Sequence, residues 1–312
     1  NEVAGITINR YCASGLEAIA LAVGKIKAGF GEIFIAGGTE SMSMIPMTGY
    51  KLAPSYKANI ENINYHISMG HTAEAVAEKY NISREDADKF SYESHKKAGE
   101  AIDSGVFKNQ IIPINVNEIF VENGLRKTIT NLVDTDEGVR RDTTLEGLAK
   151  LNPVFKKEGV ITAGNASQTS DGAAFVLVVS ESIIKKYNLN PIARLVSCAV
   201  GGVDPLYMGI GPCVAIPKAL NQAGLKLEDI DLIELNEAFA AQALAVIQEA
   251  KLDPKKVNVN GGAIALGHPL GCTGAKLSIQ LLDEMKKRNK RYGMVTACVG
   301  GGQGISGIFE RL

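Results

Sequence analysis

Strand-like and helix-like segments alternate at both ends of this chain, over roughly the first forty residues and again from residue 192 onward, and that rhythm restricts the fold to the α/β class. Asn1–Asn9 alternates apolar and polar residues as a strand inside a sheet does. Leu16–Lys27 is a helix rich in alanine and leucine that ends near Gly29 and Gly31, and Glu32–Gly38 reads as the next strand. Strand, helix, strand in that order predicts a parallel layer with a right-handed crossover and a sheet covered on both faces.

From Thr39 to about Ala163 the rhythm stops. Met42, Met44, Pro46, Met47 and Pro54 lead to Met69-Gly-His-Thr-Ala-Glu74 and two helices, the second opened by a capping box at Ser83-Arg-Glu-Asp86. Ile111–Thr130 alternates as a β-hairpin around Glu122-Asn-Gly124, where Asn-Gly suits a tight turn. This block reads as an insertion, and insertions of this kind carry binding loops. A polar, small-residue stretch, Ile161–Gly172, precedes a buried strand at Ala173–Val179. The rhythm then resumes with a strand at Ile192–Val200, a helix at Val214–Ala223, a strand at Ile230–Leu235, a helix at Ala238–Ala250, a histidine loop with its helix, and strands from Tyr292 and up to Phe309. Thr7–Cys12 and Val257–Gly262 each precede a helix, as two similar halves facing one another would require.

With 312 residues the chain is long enough for two or three lobes. Its 33 basic and 34 acidic residues nearly cancel, so no overall field points to nucleic acid or a membrane surface, and a polyanionic small ligand would need local basic residues. Apolar runs such as Ala173–Val179 are too short to span a bilayer, and no basic segment followed by an apolar one opens the chain, which reads as soluble and cytoplasmic. The sequence begins without methionine, so its start is expected not to be the native one. Five cysteines, odd in number and without a CxxC pair, argue for reduced thiols and against both a disulfide framework and a metal site.

The chemistry is expected at the ends of strands. Asn258–Gly274 puts His268 among Gly261, Gly262, Gly267, Gly271 and Gly274, just before a helix with Leu277, Leu281, Leu282 and Met285 on one stripe. Cys12 lies at a strand-to-helix turn, where the positive end of the helix favours thiolate, although a buried, inert cysteine is the commoner role. Cys298 and Asn236 occupy two further turns. A nucleophilic cysteine, a base to activate it and a second acid/base group suit acyl transfer through a thioester, with glycine-turn N–H groups as oxyanion donors. On chemistry alone, an acyltransferase and a hydrolase both remain open.

Asn9-Arg-Tyr-Cys-Ala-Ser-Gly15, Gly37-Gly-Thr-Glu-Ser-Met42, Asn236-Glu-Ala-Phe-Ala-Ala-Gln242, Asn260-Gly-Gly-Ala-Ile-Ala-Leu-Gly-His-Pro269 and Cys298-Val-Gly-Gly-Gly-Gln-Gly304, in that order, resemble the thiolase family and within it the acetyl-CoA C-acyltransferases. The resemblance implies two similar α/β halves in a layered α-β-α-β-α arrangement. Residues 1–40, completed by 164–187, would form the N-terminal half, 41–163 an inserted loop domain and 188–312 the C-terminal half. It implies ping-pong acyl transfer between acyl-CoA and acetyl-CoA, in fatty acid β-oxidation or in reverse as a Claisen condensation. Coenzyme A and its thioesters would be substrates, with no permanently bound cofactor, in a homodimer or homotetramer.

By the same resemblance Cys12 is the nucleophile, His268 activates it and lines an oxyanion hole, and Asn236 holds the water that completes that hole. Cys298 is the second acid/base, and the N–H groups of Cys12 and Gly300 form a second oxyanion hole. Ser167 lies against the pantetheine arm, Met69, Phe155, Met208 and Phe239 line its tunnel, and Arg140 is near the nucleotide end. Ser68 before Met-Gly, with Asp142-Thr-Thr-Leu-Glu-Gly147, tilts the reading to the degradative, broader-chain type, and the family's first strands and helices are absent. The alternatives are a ketoacyl-synthase-type condensing enzyme, which would carry histidine where Cys298 stands, and a non-catalytic acyl-CoA-binding homologue, which would need none of these polar groups.

Overall fold

The computed structural model describes residues 2–51 and 53–312. A 3-10 turn at Tyr11–Ala13 runs straight into α1 (Ser14–Lys27), whose Leu16, Ile19 and Ala22 are buried on one face, and β1 (Ile33–Ser41) follows. The interrupted stretch builds α2 (Tyr56–Glu61), α3 (Met69–Lys79), α4 (Arg84–Asp103), β2 (Ile114–Glu122), β3 (Leu125–Val133) and α5 (Leu145–Ala149). β4 (Asp171–Val179) and α6 (Glu181–Tyr187) come next. The second half runs β5 (Ala193–Gly202), α7 (Gly211–Ala223), β6 (Leu232–Leu235), α8 (Ala240–Glu249), α9 (Ala263–Leu266), α10 (Leu270–Lys287), β7 (Tyr292–Val299) and β8 (Gln303–Arg311).

Two sheets sandwich a helical layer. The larger has the order β5-β8-β7-β6, with β6 and β7 parallel and the other pairs antiparallel. On one of its faces α1 and α10 share a core, in which Leu16, Ile19, Ala275, Leu277 and Leu281 meet Val295, Ile305 and Phe309 from β7 and β8. Ala36 of β1 joins the same core, with Phe34 and Val176 packed against it, so α1 and α10 are buried on both sides. On the far face of the larger sheet, Ile216, Ala219 and Leu220 of α7 and Ala243 and Val246 of α8 pack on Ile233, Leu235, Met294 and Ile308. Strands buried on both faces read as unbroken apolar runs, which is why Leu232–Leu235 and Tyr292–Val299 show no alternation.

Three expectations are corrected. Glu2–Asn9 forms no strand, because strand geometry needs a ladder partner and none of the described residues supplies one. A cleft of about 920 Å³ lies between this segment and β1. Secondly, β1 pairs antiparallel with β4, from Ile33 opposite Val179 to Ser41 opposite Asp171, not within a parallel layer. The chain reaches β4 through the long insertion, which returns it in the opposite direction, where a crossover helix would have kept the direction. Thirdly, β4 is only half-buried: one face meets α1 and α10 while Phe175 and Leu177, with Ile33 and Ile35 of β1, remain exposed.

The local signals in the insertion do hold. Ser83 and Asp86 form the reciprocal capping box of α4. Asn123 and Gly124, with φ of 53° and 77°, make the two-residue turn between β2 and β3, as a right-twisted hairpin demands.

Candidate active site

The nucleophile candidate is set by a strained turn. Tyr11 takes a φ of 47°, unfavourable for a residue with a Cβ, and local hydrogen bonds hold it there. The Tyr11 N–H donates to Asn9 Oδ1 at 2.8 Å, the Arg10 N–H donates to Ser14 Oγ at 2.9 Å, and Ser14 Oγ donates to the Tyr11 carbonyl at 2.8 Å. Cys12 is thereby held, buried, at the start of α1.

His268 stands at the head of α10, which packs on the turn that carries Cys12, and glycines make that approach possible. A Cβ on Gly15 would lie 2.4 Å from the Ala275 nitrogen, and one on Gly274 would lie 2.3 Å from the Leu16 nitrogen. The first turns of α1 and α10 therefore cross with backbone against backbone, at a distance that no larger residue permits.

The hydrogen bonds around His268 define its tautomer. The Thr273 hydroxyl donates its one hydrogen to the Pro269 carbonyl at 2.9 Å, so toward His268 Nδ1, at 2.6 Å, it can only accept. Nδ1 therefore carries the proton and Nε2 the lone pair. Nε2 lies 3.3 Å from Asn236 Nδ2, and Asn236 Oδ1, fully buried, has no hydrogen-bond partner among the described residues. The His268 N–H donates to Ser170 Oγ at 3.2 Å, which ties the loop after Ile161 to the histidine loop.

Electrostatics separate the groups. Burial, with Lys276 adding to it, lowers the His268 pKa to about 3, so its imidazole is neutral. Burial also pushes the Cys12 thiol up to about 11, although its own N–H and that of Gly300 act in the other direction. The thiolate expected from the helix terminus is corrected on this point: desolvation outweighs the helix end, and Cys12 rests as a thiol. Cys298, fully buried at the end of β7, is raised well above the usual thiol range by burial and by the neighbouring Cys12.

Cys298 shares an apolar cluster with Met208, Ala238 and Phe239, against which Met69 and Phe155 pack. The Phe155 ring fills the space that a side chain at position 70 would need. Ser167 joins through its N–H, which donates to the Ala238 carbonyl at 2.9 Å. Gly300 borders the same cluster, since a Cβ there would lie 3.6 Å from the Met69 sulfur. Arg140 lines a separate cleft of about 210 Å³ with Tyr92, His95 and Arg141, and its N–H donates to His95 Nδ1 at 3.1 Å. The structure thus brings Cys12, Gly300 and Cys298 together with the apolar residues beside Cys298, pairs His268 with Asn236 at the head of the helix that packs on the Cys12 turn, and leaves Arg140 apart. Thr273, Ser170 and Lys276, all in contact with the histidine loop, were not singled out by sequence reasoning. Thr273 was the most accessible of them, as a hydroxyl one helical turn past the histidine.

The family's N-terminal domain model, "Thiolase, N-terminal domain", matches residues 1–182, and "Thiolase, C-terminal domain" matches residues 189–311. The chain belongs to the thiolase family. It is 52% identical over 309 residues to the 3-ketoacyl-CoA thiolase of Bacillus subtilis (strain 168), with 99% of this chain and 79% of that protein covered. Crystal structures of human mitochondrial 3-ketoacyl-CoA thiolase in complex with CoA and of Bacillus anthracis acetyl-CoA acetyltransferase superpose with TM-scores of 0.87 and 0.86. Each is 43% identical, and each alignment covers 98% of this chain and 78% of the other.

Proposed function

We propose that this thiolase transfers acyl groups between coenzyme A thioesters through an acyl-Cys12 intermediate, with His268 as the base. The observation that carries the assignment of roles is the neutral His268, whose Nδ1–H is fixed by Thr273 and whose Nε2 is left as the acceptor. Nε2 takes the Cys12 proton as sulfur attacks the thioester carbonyl. The tetrahedral intermediate collapses with cleavage of the carbon–sulfur bond to coenzyme A, which leaves as a thiol once His268 returns the proton. Asn236 Oδ1, without a protein partner, supports a role in holding a water at the oxyanion. The N–H groups of Cys12 and Gly300, which already face the Cys12 sulfur, would serve the second oxyanion hole.

In the half-reaction that makes or breaks the carbon–carbon bond, Cys298 moves a proton at the α-carbon of acetyl-CoA, removing it for condensation and supplying it for thiolysis. Its closeness to Cys12, whose charge would raise the Cys298 pKa, supports this, and a cysteine where the ketoacyl synthases would carry histidine disfavours their scheme. Ser167, Met69, Phe155, Met208 and Phe239 would line the pantetheine path, with Arg140 at the nucleotide end. We read the enzyme as degradative from Ser68 and residues 142–147, as a homo-oligomer, and as cytoplasmic from its five free cysteines. The halves would be residues 1–40 with 164–187, and 188–312, around the insertion at 41–163.

The two cysteines separate in a labelling experiment. After incubation with radiolabelled acetyl-CoA, Cys298→Ala should carry label on Cys12 yet make no acetoacetyl-CoA, whereas Cys12→Ser should carry none. Full condensation activity in Cys298→Ala, or label on another residue of the wild type, refutes the assignment.

A further inference from the structure

α9 has only four residues, far fewer than a helix needs to persist alone, yet His268 follows it after one glycine. It has no side-chain cap, and two charged side chains hold its ends. At the N-terminal end the Glu237 carboxylate, 1% exposed, accepts from the Ile264 N–H at 3.2 Å, the Ser94 hydroxyl at 2.7 Å and Asn258 Nδ2 at 2.8 Å. Ser94 Oγ accepts in turn from the Gly262 N–H at 3.0 Å. At the other end Lys276 Nζ donates to the carbonyls of Leu266 at 2.8 Å and Gly267 at 3.1 Å.

Glu237 cannot be exchanged freely for a neutral group. Asn258 is locked, because its Oδ1 accepts from the Leu235 N–H and its Nδ2 also donates to the Leu235 carbonyl, both at 2.8 Å. Both Glu237 oxygens therefore face donors that cannot turn away: Asn258 Nδ2 at one, the Ile264 N–H at the other. Glutamine would aim an N–H at one of them, and a buried donor facing a donor loses its hydrogen bond and keeps its desolvation cost. Burial raises the Glu237 pKa while Ser94, Asn258 and the Ile264 N–H act in the other direction, and a carboxylate so held at the N–H end, with an ammonium at the carbonyl end, also matches the peptide dipoles of the turn.

Resting on the reading of His268 as the base for Cys12, we propose that Glu237 and Lys276 form a brace across α9 that fixes the imidazole against the thiol. They are positioning residues, which touch neither substrate nor the reacting atoms. Lys276 has a second effect: its charge, next to burial, disfavours imidazolium and so keeps Nε2 available. A brace of this kind acts on the chemical step and leaves the apolar path for the substrate as it was.

The test uses the full-length enzyme and the variants Lys276→Met, Lys276→Arg and Glu237→Gln. Steady-state thiolysis of acetoacetyl-CoA is measured beside the rate at which iodoacetamide, a probe too small to need the coenzyme A path, alkylates Cys12. Lys276→Met and Glu237→Gln should each lose on the order of 10²-fold in kcat, as expected when general-base catalysis is disturbed. KM should stay within about twofold of wild type, and Cys12 alkylation should fall with kcat. Arginine can reach both carbonyls with its planar fork, so Lys276→Arg should recover most of the loss. If Lys276→Met shows no cooperative melt, Glu237→Gln decides. An unchanged kcat in a folded variant, a rise in KM alone, or an equal loss in Lys276→Arg and Lys276→Met overturns the brace. A wild type whose Cys12 is no more reactive than Cys272 refutes instead the base reading on which the brace rests.

Discussion

Thr273 does at the residue scale what no charge in the site does. By giving its hydrogen to Pro269 it obliges His268 to keep its lone pair at Nε2, and a neutral imidazole and a neutral thiol are the resting states that burial imposes on the two groups. Thr273→Val keeps the shape and removes the acceptor. The imidazole can then turn or adopt the other tautomer, and acylation of Cys12 by acetyl-CoA should slow on the order of 10²-fold with little change in melting temperature. Quench-flow measurement of label on Cys12 checks this, and an unchanged rate would mean that Asn236 alone orients the ring. The candidate residues themselves could be picked out in the sequence because each stands in a distinctive turn. Thr273 could not, since a threonine in the first turn of a helix has many ordinary uses.

The crossing of α1 and α10 is the element that assembles the site, and two glycines set its distance. Gly15→Ala removes a glycine from the first turn of α1, which alone would add at most about 1 kcal/mol of stability. The new methyl group would sit 2.4 Å from the Ala275 nitrogen, a backbone atom that cannot step aside. Overpacking of this kind costs about 1–3 kcal/mol, so the variant should be less stable in urea and should lose acylation activity as Cys12 and His268 are driven apart. A variant as stable and as active as wild type would show that the helices can separate at no cost. Both helices were visible in the sequence, as was the glycine density around His268. That Gly15 and Gly274 meet across about 260 residues was not, because propensity and periodicity report on neighbours in sequence.

Burial at the scale of the whole molecule sets the charge of groups that water would ionise. Glu234 on β6 lies in a core with Glu237 and Glu284 nearby, and burial first, then these acids, raise its pKa from 4.5 to about 8. A folded-state pKa above the unfolded one gives stability that is fully present below pH 4.5 and is lost as pH rises through about 8. Glu234→Gln, a neutral isostere of the protonated acid, should flatten that loss, so its urea midpoint should fall less than that of wild type between pH 5 and pH 8.5. Parallel pH dependence in the two proteins would show that Glu234 is ionised throughout. The sequence by itself determined the α/β class, the capping box and the Asn-Gly turn, and it singled out Cys12, His268, Cys298 and Asn236 as candidates, since these follow from local propensity and side-chain chemistry. Only the tertiary structure decided that β1 runs antiparallel to β4, that Glu2–Asn9 pairs with nothing described, that Cys12 rests as a thiol and that the His268 imidazole is neutral. Strand partners, desolvation and the second hydrogen bond of an imidazole are all supplied by residues far away in sequence, and no local pattern encodes them.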